Sequence, residues 1–548
     1  MPDQPLSRED IRALQTLSPF ELKEKLREIA GAHEGRTAFQ QLNAGRGNPN
    51  FVAPTPREAF FRLGFFALEE CRATVSWDPE LVGVPQKSGI AERFRSWLDA
   101  HEGESGVDLL RRVLDWGVDD CGYDPDAFVW ELADSVIGDH YPAPDRMLHH
   151  AEDVVLRYLQ QEMGPGIGPM DLFAVEGGTA AICYILDSLV VNRLLKPGDR
   201  VAVMTPIFTP YLEIARLEEY AFDLVRLRAD SVAEDGTRMW QFPPAEIDRL
   251  RDGSVKALLC VNPTNPPSVT LDPATLERIA AVVREDNPDL IVVTDDVYGT
   301  FIDGFTSLAA HVPRNSVLVY SYSKYFGATG WRLGVVGVHP ETVLDELLAR
   351  LPEQDKQALD ARYAPLTLAP REIRFVDRLV ADSRDVALNH TAGLSQPQQL
   401  QMLLFSAYCL LDRAGHYKQQ AQALIRRRLD DLLAGMRIRL LDDPYRVGYY
   451  LELDLLGYAG HHHGPGLVEF LRENYEPTDI LFRLARRSGV IALNGGGFDG
   501  PPWSIRLSIA NLRDYEYAEI GRAIRTVAEE YLDEWRAGGG VSGPGAAP

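Results

Sequence analysis

The chain has 548 residues, 45% of them apolar and 25% charged, which is enough for a large core and too long for one ordinary domain. Its 56 Lys and Arg against 80 Asp and Glu give a net charge of −24, which disfavours nucleic acid and anionic membrane as partners but leaves room for small anionic substrates in a locally basic pocket. No stretch approaches the ~18 apolar residues of a membrane span. The polar, acidic start Met1–Glu9 does not read as a secretory leader. The five scattered cysteines contain no CxxC pair, so a reduced, cytoplasmic protein without disulfides is expected.

In chain order, Ser18-Pro19-Phe20-Glu21 is a capping box with proline at the first helical position, and the spacing of Leu22, Leu26 and Ile29 predicts an amphipathic helix over 19–31. Lys23 stands near its N-terminal end, where the helix dipole mildly disfavours a cation. Leu42 to Phe51 is too rich in Gly, Asn and Pro for a helix or strand, and Arg46 in such a loop is either a surface residue or a ligand contact. Residues 80–140 are acidic and partly helical, as at 107–114. From 171 onward, strands at 172–175, 201–204, 257–261, 290–294, 316–320 and 334–338 alternate with helical stretches such as 180–195. This alternation predicts an α/β fold with a mostly parallel sheet and ligands at the carboxyl ends of its strands. Residues 341–390 are helix-rich and interrupted by prolines, and 397–435 reads as long helices. Strands at 447–455 and 503–510 with helices at 465–474 and 515–535 suggest a smaller α+β domain. The tail 538–548 has a disordered composition, and His461-His462-His463 reads as a solvated loop without a partner at metal-ligand spacing.

The chemistry concentrates after the strands. Ser321-Tyr322-Ser323-Lys324 follows the apolar run Val317–Tyr320, with Gly327, Gly330 and Arg332 close behind. A lysine leaving a core strand beside hydroxyls and a guanidinium suits a Schiff base to an aldehyde that carries a phosphate, and so predicts pyridoxal 5'-phosphate (PLP). Gly177-Gly178-Thr179 opens a helix whose free N–H groups attract phosphate. Phe208, in the segment after the strand 201–204, is either a ring-stacking partner or a core aromatic. Asn262, in Asn262-Pro263-Thr264-Asn265-Pro266, suits the phenolic oxygen of a pyridoxal ring. Asp295 and Tyr298, three apart, suit the pyridine nitrogen and the same oxygen, since a buried carboxylate needs a partner. Arg506 sits in an apolar strand and needs one too, for which a substrate carboxylate is a natural bidentate choice.

This series, in this order, resembles the fold-type-I PLP enzymes of the aspartate aminotransferase superfamily across about residues 40–530. Within it, Ser18–Lys23, Asn43–Phe51, Phe173–Ala181, Thr294–Phe301 and Lys324–Gly334, with an insertion before Tyr141-Pro142-Ala143-Pro144, are similar to the aspartate 4-decarboxylase family, whose members are also described as aspartate aminotransferases. The resemblance implies a large PLP domain over 61–345 with an insertion around 80–140. It implies an N-terminal arm and part of a small domain over 1–60, a helical connection and small domain over 346–535, and a disordered tail from 536.

By position, the resemblance makes Lys324 the Schiff-base lysine and proton shuttle. It gives the pyridine nitrogen to Asp295, the ring oxygen to Asn262 and Tyr298, and the phosphate to Gly178, Thr179, Ser321, Ser323 and Arg332. Phe208 stacks on the ring, Tyr141 reaches the phosphate of a neighbouring subunit, and Arg506 binds the α-carboxylate. Lys23 and Arg46 tune the distal carboxylate, and Gly45 joins Arg46 and Arg506 in binding the substrate. Two departures stand out: no distal-carboxylate arginine appears near His390–Gly393, and Asn494–Phe498 lacks the family's proline and arginine.

The implied reaction is conversion of L-aspartate to L-alanine and CO2, with minor transamination. The alternatives are a pure aminotransferase and a PLP-binding sensor without turnover. A homo-oligomer is implied, a dimer at least, with a dodecamer of dimers as the larger assembly.

Overall fold

The structure, a computed structural model, describes residues 6–34, 41–74, 80–233, 238–384 and 393–540. It divides into two units: Met1–Phe51, Pro197–Leu290 and Gln420–Pro548 form the first, and Val52–Lys196 and Ile291–Gln419 the second. Among the described residues, no helix is long and apolar enough to cross a membrane.

In the second unit the strands lie in the order Asp171–Val175, Gly334–Val338, Ser316–Ser321, Ile291–Asp295. The last two run parallel, whereas Gly334–Val338 is antiparallel to both of its neighbours. Nearly every residue of these strands is buried, as expected of apolar runs covered on both faces. The predicted helix at 180–195 begins earlier, at Gly178, and ends at Val191. Two glycines do not delay it, because the first turn makes few demands on side chains.

In the first unit, Val255–Val261, Arg200–Thr205 and Asp223–Arg228 pair in parallel. The strand Asp223–Arg228 was not expected from the sequence. It pairs in this unit only along Arg200–Thr205, and its charges at Asp223, Arg226 and Arg228 lie toward solvent, so it lacks the apolar run of a central strand. A second sheet holds Leu493–Asn494, Ser504–Ser508 and Tyr450–Asp454, all antiparallel. The expectation that Leu42–Phe51 contains no strand is corrected at its first two residues. Leu42–Asn43 pairs in parallel with Val490–Ile491, where burial of Leu42 outweighs the weak strand preference of asparagine.

The predicted N-terminal helix runs from Pro19 to Glu34, and the Glu21 N–H donates to Ser18 Oγ at 3.4 Å. The histidine run is also corrected. His461–His463 forms the last turn of a helix, Leu455–His463, because Asp454 accepts from the Gly457 N–H at 3.0 Å and caps its start. The final helix extends to Ala537, and the tail from 541 lies outside the described residues.

Candidate active site

In the second unit, one glycine sets the geometry. Gly334 pairs with Ser321 on one side and with Val175 on the other. That register brings the turn after Val175, the Ser321–Lys324 segment and Arg332 to one edge of the sheet. A Cβ on Gly334 would stand 2.6 Å from Gly177 Cα, so both strands approach as bare backbone. Gly177 has φ 93°, and a Cβ there would meet Arg332 Nη2 at 2.7 Å. Arg332, itself left-handed at φ 57°, donates from Nη2 to the Glu176 carbonyl at 3.0 Å and from Nη1 to the Thr329 carbonyl at 2.9 Å.

Ser321 Oγ and Ser323 Oγ are buried and 3.0 Å apart, and Ser321 also donates to the Leu333 carbonyl at 3.1 Å. The helix Gly178–Val191 begins at Gly177 with no side-chain cap. Uncapped N–H groups, two hydroxyls and a guanidinium at one edge are the donor set an anionic phosphate requires. Thr179 is exposed at this helix start, and Lys324 is half-buried just beyond Ser323.

The loop that follows Lys324 is braced by residues the sequence reading did not single out. Arg57 donates to the Ala53 and Gly327 carbonyls at 2.6 and 2.9 Å, and its guanidinium lies 5.1 Å from the rings of both Trp331 and Phe405. Tyr417 donates to the Tyr325 carbonyl at 2.6 Å, and Gln398 to the Trp331 carbonyl at 2.8 Å. These residues lie far from the lysine in sequence and match no local pattern.

Asp295 ends its strand, buried, and its Oδ1 accepts from the Val297 N–H at 3.3 Å. Its neighbour Asp296 is wholly buried and accepts from Thr294 Oγ1 at 2.8 Å, and burial pushes its pKa up to about 7. Tyr298 is buried immediately before the turn Gly299–Phe301. Tyr141 is 65% exposed, on the segment between helices Pro125–Ile137 and His149–Met163.

In the first unit, Arg506 occupies the middle of Ser504–Ser508 and is 2% exposed. Its Nη1 donates to Asn265 Oδ1 at 3.2 Å and its Nη2 to the Gly45 carbonyl at 3.0 Å, while the buried Nε has no hydrogen-bond partner among the described residues. The guanidinium lies 4.3 Å from the Tyr450 ring and 5.0 Å from the Phe498 ring. None of the described carboxylates forms an ion pair with it. A buried guanidinium held only by neutral oxygens and aromatic faces is poised for an external anion.

Gly45 also contacts Lys23, whose side-chain stem lies 3.3 Å from where a Gly45 Cβ would stand. Lys23 Nζ is 3.0 Å from Glu24, and Arg46 is exposed on the next residue. Phe208 is half-buried, with its ring edge-on to Phe20 at 6.3 Å, and Phe20 meets Phe498 at the same distance.

Asn262 is wholly buried. Its Oδ1 accepts from the Leu271 N–H at 3.0 Å, and its Nδ2 has no partner among the described residues. An amide donor kept buried and unpaired costs about 1–3 kcal/mol unless a ligand oxygen takes it. In the first unit this orphan and the unpaired Arg506 Nε fit a ligand oxygen and a carboxylate, and in the second unit the uncapped helix start fits a phosphate.

The altered loop has a packing reason. A Cβ on Gly497 would stand 2.2 Å from Pro19 Cγ, and one on Gly495 would stand 2.0 Å from Ser504 Oγ. The segment around His390 lies outside the described residues. Among the described residues, the grouping with metal-ligand spacing is Asp134, Asp139 and His140, not the histidine run.

Residues 174–524 match the family model described as aminotransferase class I and II. The chain is 48% identical over 532 residues to the bifunctional aspartate aminotransferase and L-aspartate beta-decarboxylase of a Pseudomonas species, spanning 96% of this chain and 99% of that protein. An aspartate aminotransferase of Pyrococcus horikoshii is 25% identical over 244 residues, 43% of this chain and 58% of that one. Among solved structures, a double mutant of Thermus thermophilus aspartate aminotransferase superposes with a TM-score of 0.58 at 18% identity, covering 96% of this chain and all of that one. N-succinyldiaminopimelate aminotransferase from Mycobacterium tuberculosis gives 0.56 at 17%, with 96% and 100% coverage. These structural likenesses establish the fold as that of the fold-type-I aminotransferases.

Proposed function

We propose, from the premise that this chain belongs to the class I and II aminotransferase family, a PLP-dependent family, that it is a bifunctional enzyme which removes the β-carboxylate of L-aspartate to give L-alanine and CO2 and also transaminates aspartate. The observation that carries the reading is the Gly45 carbonyl. It accepts from Arg506, the Cα side of the same glycine faces the Lys23 stem, and the next residue is Arg46. One short loop thus ties the candidate for the α-carboxylate to the two candidates for a second carboxylate, as a dicarboxylic amino acid requires.

In this reading Ser321, Ser323, Gly178, Thr179 and Arg332 hold the phosphate. Asp295 keeps the ring nitrogen protonated, Asn262 Nδ2 and the Tyr298 hydroxyl donate to the ring oxygen, and Phe208 packs on the ring face. Bound PLP supplies an electron sink for charge that develops beside the amine-bearing carbon. Lys324 Nζ takes the α-proton and returns protons to the reacting carbons. Arg506 fixes the α-carboxylate. Arg46, with Lys23, turns the β-carboxylate so that its C–C bond stands out of the conjugated plane, the orientation in which CO2 departs with least barrier. Departure of the carbon skeleton as an oxo acid, with the amino group left on the cofactor, in place of CO2 loss would give the transaminase outcome from the same site.

Tyr141, exposed on one subunit, serves the phosphate of a neighbour. The functional assembly is then at least a dimer, with a dodecamer of dimers as the larger form, and the enzyme works in the cytoplasm.

The test is L-aspartate with PLP and no oxo acid. Sustained production of alanine and CO2 is expected. A single half-turnover that leaves the cofactor aminated would replace this reading with a pure aminotransferase, and cofactor exchange without any product would replace it with a sensor.

A further inference from the structure

The first unit encloses a cavity of about 400 Å3, within the roughly 300–1,000 Å3 of small-molecule sites. None of the residues assigned above to cofactor or substrate lines it. Its walls are largely apolar and aromatic, with Trp240, Leu453, Leu471, Ile480, Trp503 and Tyr531 among them. The half-buried last turn of Leu455–His463 adds the three histidines that the proposed reaction leaves unused.

The polar lining is lopsided for a chain of net charge −24. Arg238, Arg439, Arg446 and Arg525 with the histidines face Glu452, Asp454 and Glu529. Two of its buried nitrogens lack hydrogen-bond partners among the described residues: Arg525 Nε, which has the Glu529 carboxylate only at 3.7 Å, and His463 Nδ1. Arg238, by contrast, is satisfied by Asp230 at 2.7 Å and Asp454 at 3.2 Å. An apolar chamber with an unspent guanidinium N–H in its wall selects a ligand that is apolar along its body and anionic at one end.

We propose that this cavity binds an amphipathic organic monoanion, a carboxylate carrying an aromatic or aliphatic body, with its carboxylate at Arg525 and its body between Trp240, Leu453 and Leu471.

The test is calorimetric titration of the holoenzyme with 4-phenylbutyrate, and with 4-phenylbutanol as the neutral control. Saturable binding of one acid per chain is expected, with the alcohol at least about tenfold weaker. Ala459→Phe, which fills the chamber from a buried wall position, and Arg525→Gln, which removes the cation from a more exposed helix, should each weaken the acid at least about tenfold. Arg506→Lys should leave its affinity unchanged. Absence of saturable binding would overturn the proposal, and so would affinity lost with Arg506→Lys but kept with Arg525→Gln. If Ala459→Phe instead abolishes self-association in a protein that binds no 4-phenylbutyrate, the occupant is a second copy of the chain and the proposal is wrong.

Discussion

Glu452 stands directly opposite Arg506 on neighbouring antiparallel strands, on the same face of the sheet, yet the two do not form an ion pair. Glu452 Oε1 accepts from Ser504 Oγ at 2.8 Å, and burial pushes the pKa of its carboxyl up to about 8. A neutral Glu452 leaves the Arg506 guanidinium without an anion opposite it, as the proposed role at the α-carboxylate requires.

Glu452→Gln should therefore separate two effects of pH. In the native enzyme, the KM for aspartate should rise above about pH 8 as an anion emerges opposite Arg506, and the variant should lose that rise. Asp454 pushes the Glu452 pKa up, while Arg238 and Arg506 oppose it. The stability effect has a definite sign. The folded protein keeps this proton up to about pH 8, whereas the unfolded chain releases it near 4.5, so the native contribution is full below 4.5 and declines as pH rises between those values. Melting temperatures measured from pH 5 to 8.5 should fall less steeply for Glu452→Gln.

Arg46→Ala should impair decarboxylation more than transamination, because only CO2 loss depends on how the second carboxylate is turned. A differential of about tenfold corresponds to about 1.4 kcal/mol of lost orientation. Alanine and oxaloacetate formation, assayed in parallel, give the ratio, and equal losses would remove Arg46 from the orienting role.

Gly334→Ala places a methyl group 2.6 Å from Gly177 Cα, and neither backbone can move aside cheaply. A loss of about 1–3 kcal/mol in urea unfolding is expected. Faster loss of cofactor absorbance on dialysis should accompany it, since the same contact positions Gly177 against Arg332, at the edge proposed to hold the phosphate.

Lys324→Ala should lower turnover by at least about a hundredfold, the lower end of what a positioned general base contributes. Near-normal rates in this variant would refute the placement of the cofactor itself.

Much of this was legible in the sequence. Lys324, Asp295 and Asn262 stand out as candidates in the sequence because each lies at or just past the end of an apolar strand and carries a polar group that a core position would not tolerate. Arg506 was visible for the same reason. The strand Asp223–Arg228 was not, because its alternating charges mimic a solvated loop. Nor were Arg57, Tyr417 and Glu452, whose roles come from packing across long sequence separations and leave no spacing pattern. The histidines read as loop residues because the helix-starting signal, Asp454, lies at the end of a strand and was counted there. The glycines of 495–497 stand out in the sequence only as a departure from the family's loop. Pro19 and Ser504, which forbid larger residues at 497 and 495, are visible only in three dimensions.

That last contact reaches further. Gly497 leaves room for Pro19, and Phe20 sets its ring against both Phe208 and Phe498, the latter lying on the Arg506 guanidinium. The helix Pro19–Glu34 is thus part of the packing around Arg506 and not an appendage to it. Cutting it away would strip the aromatic backing from the Arg506 guanidinium along with Lys23.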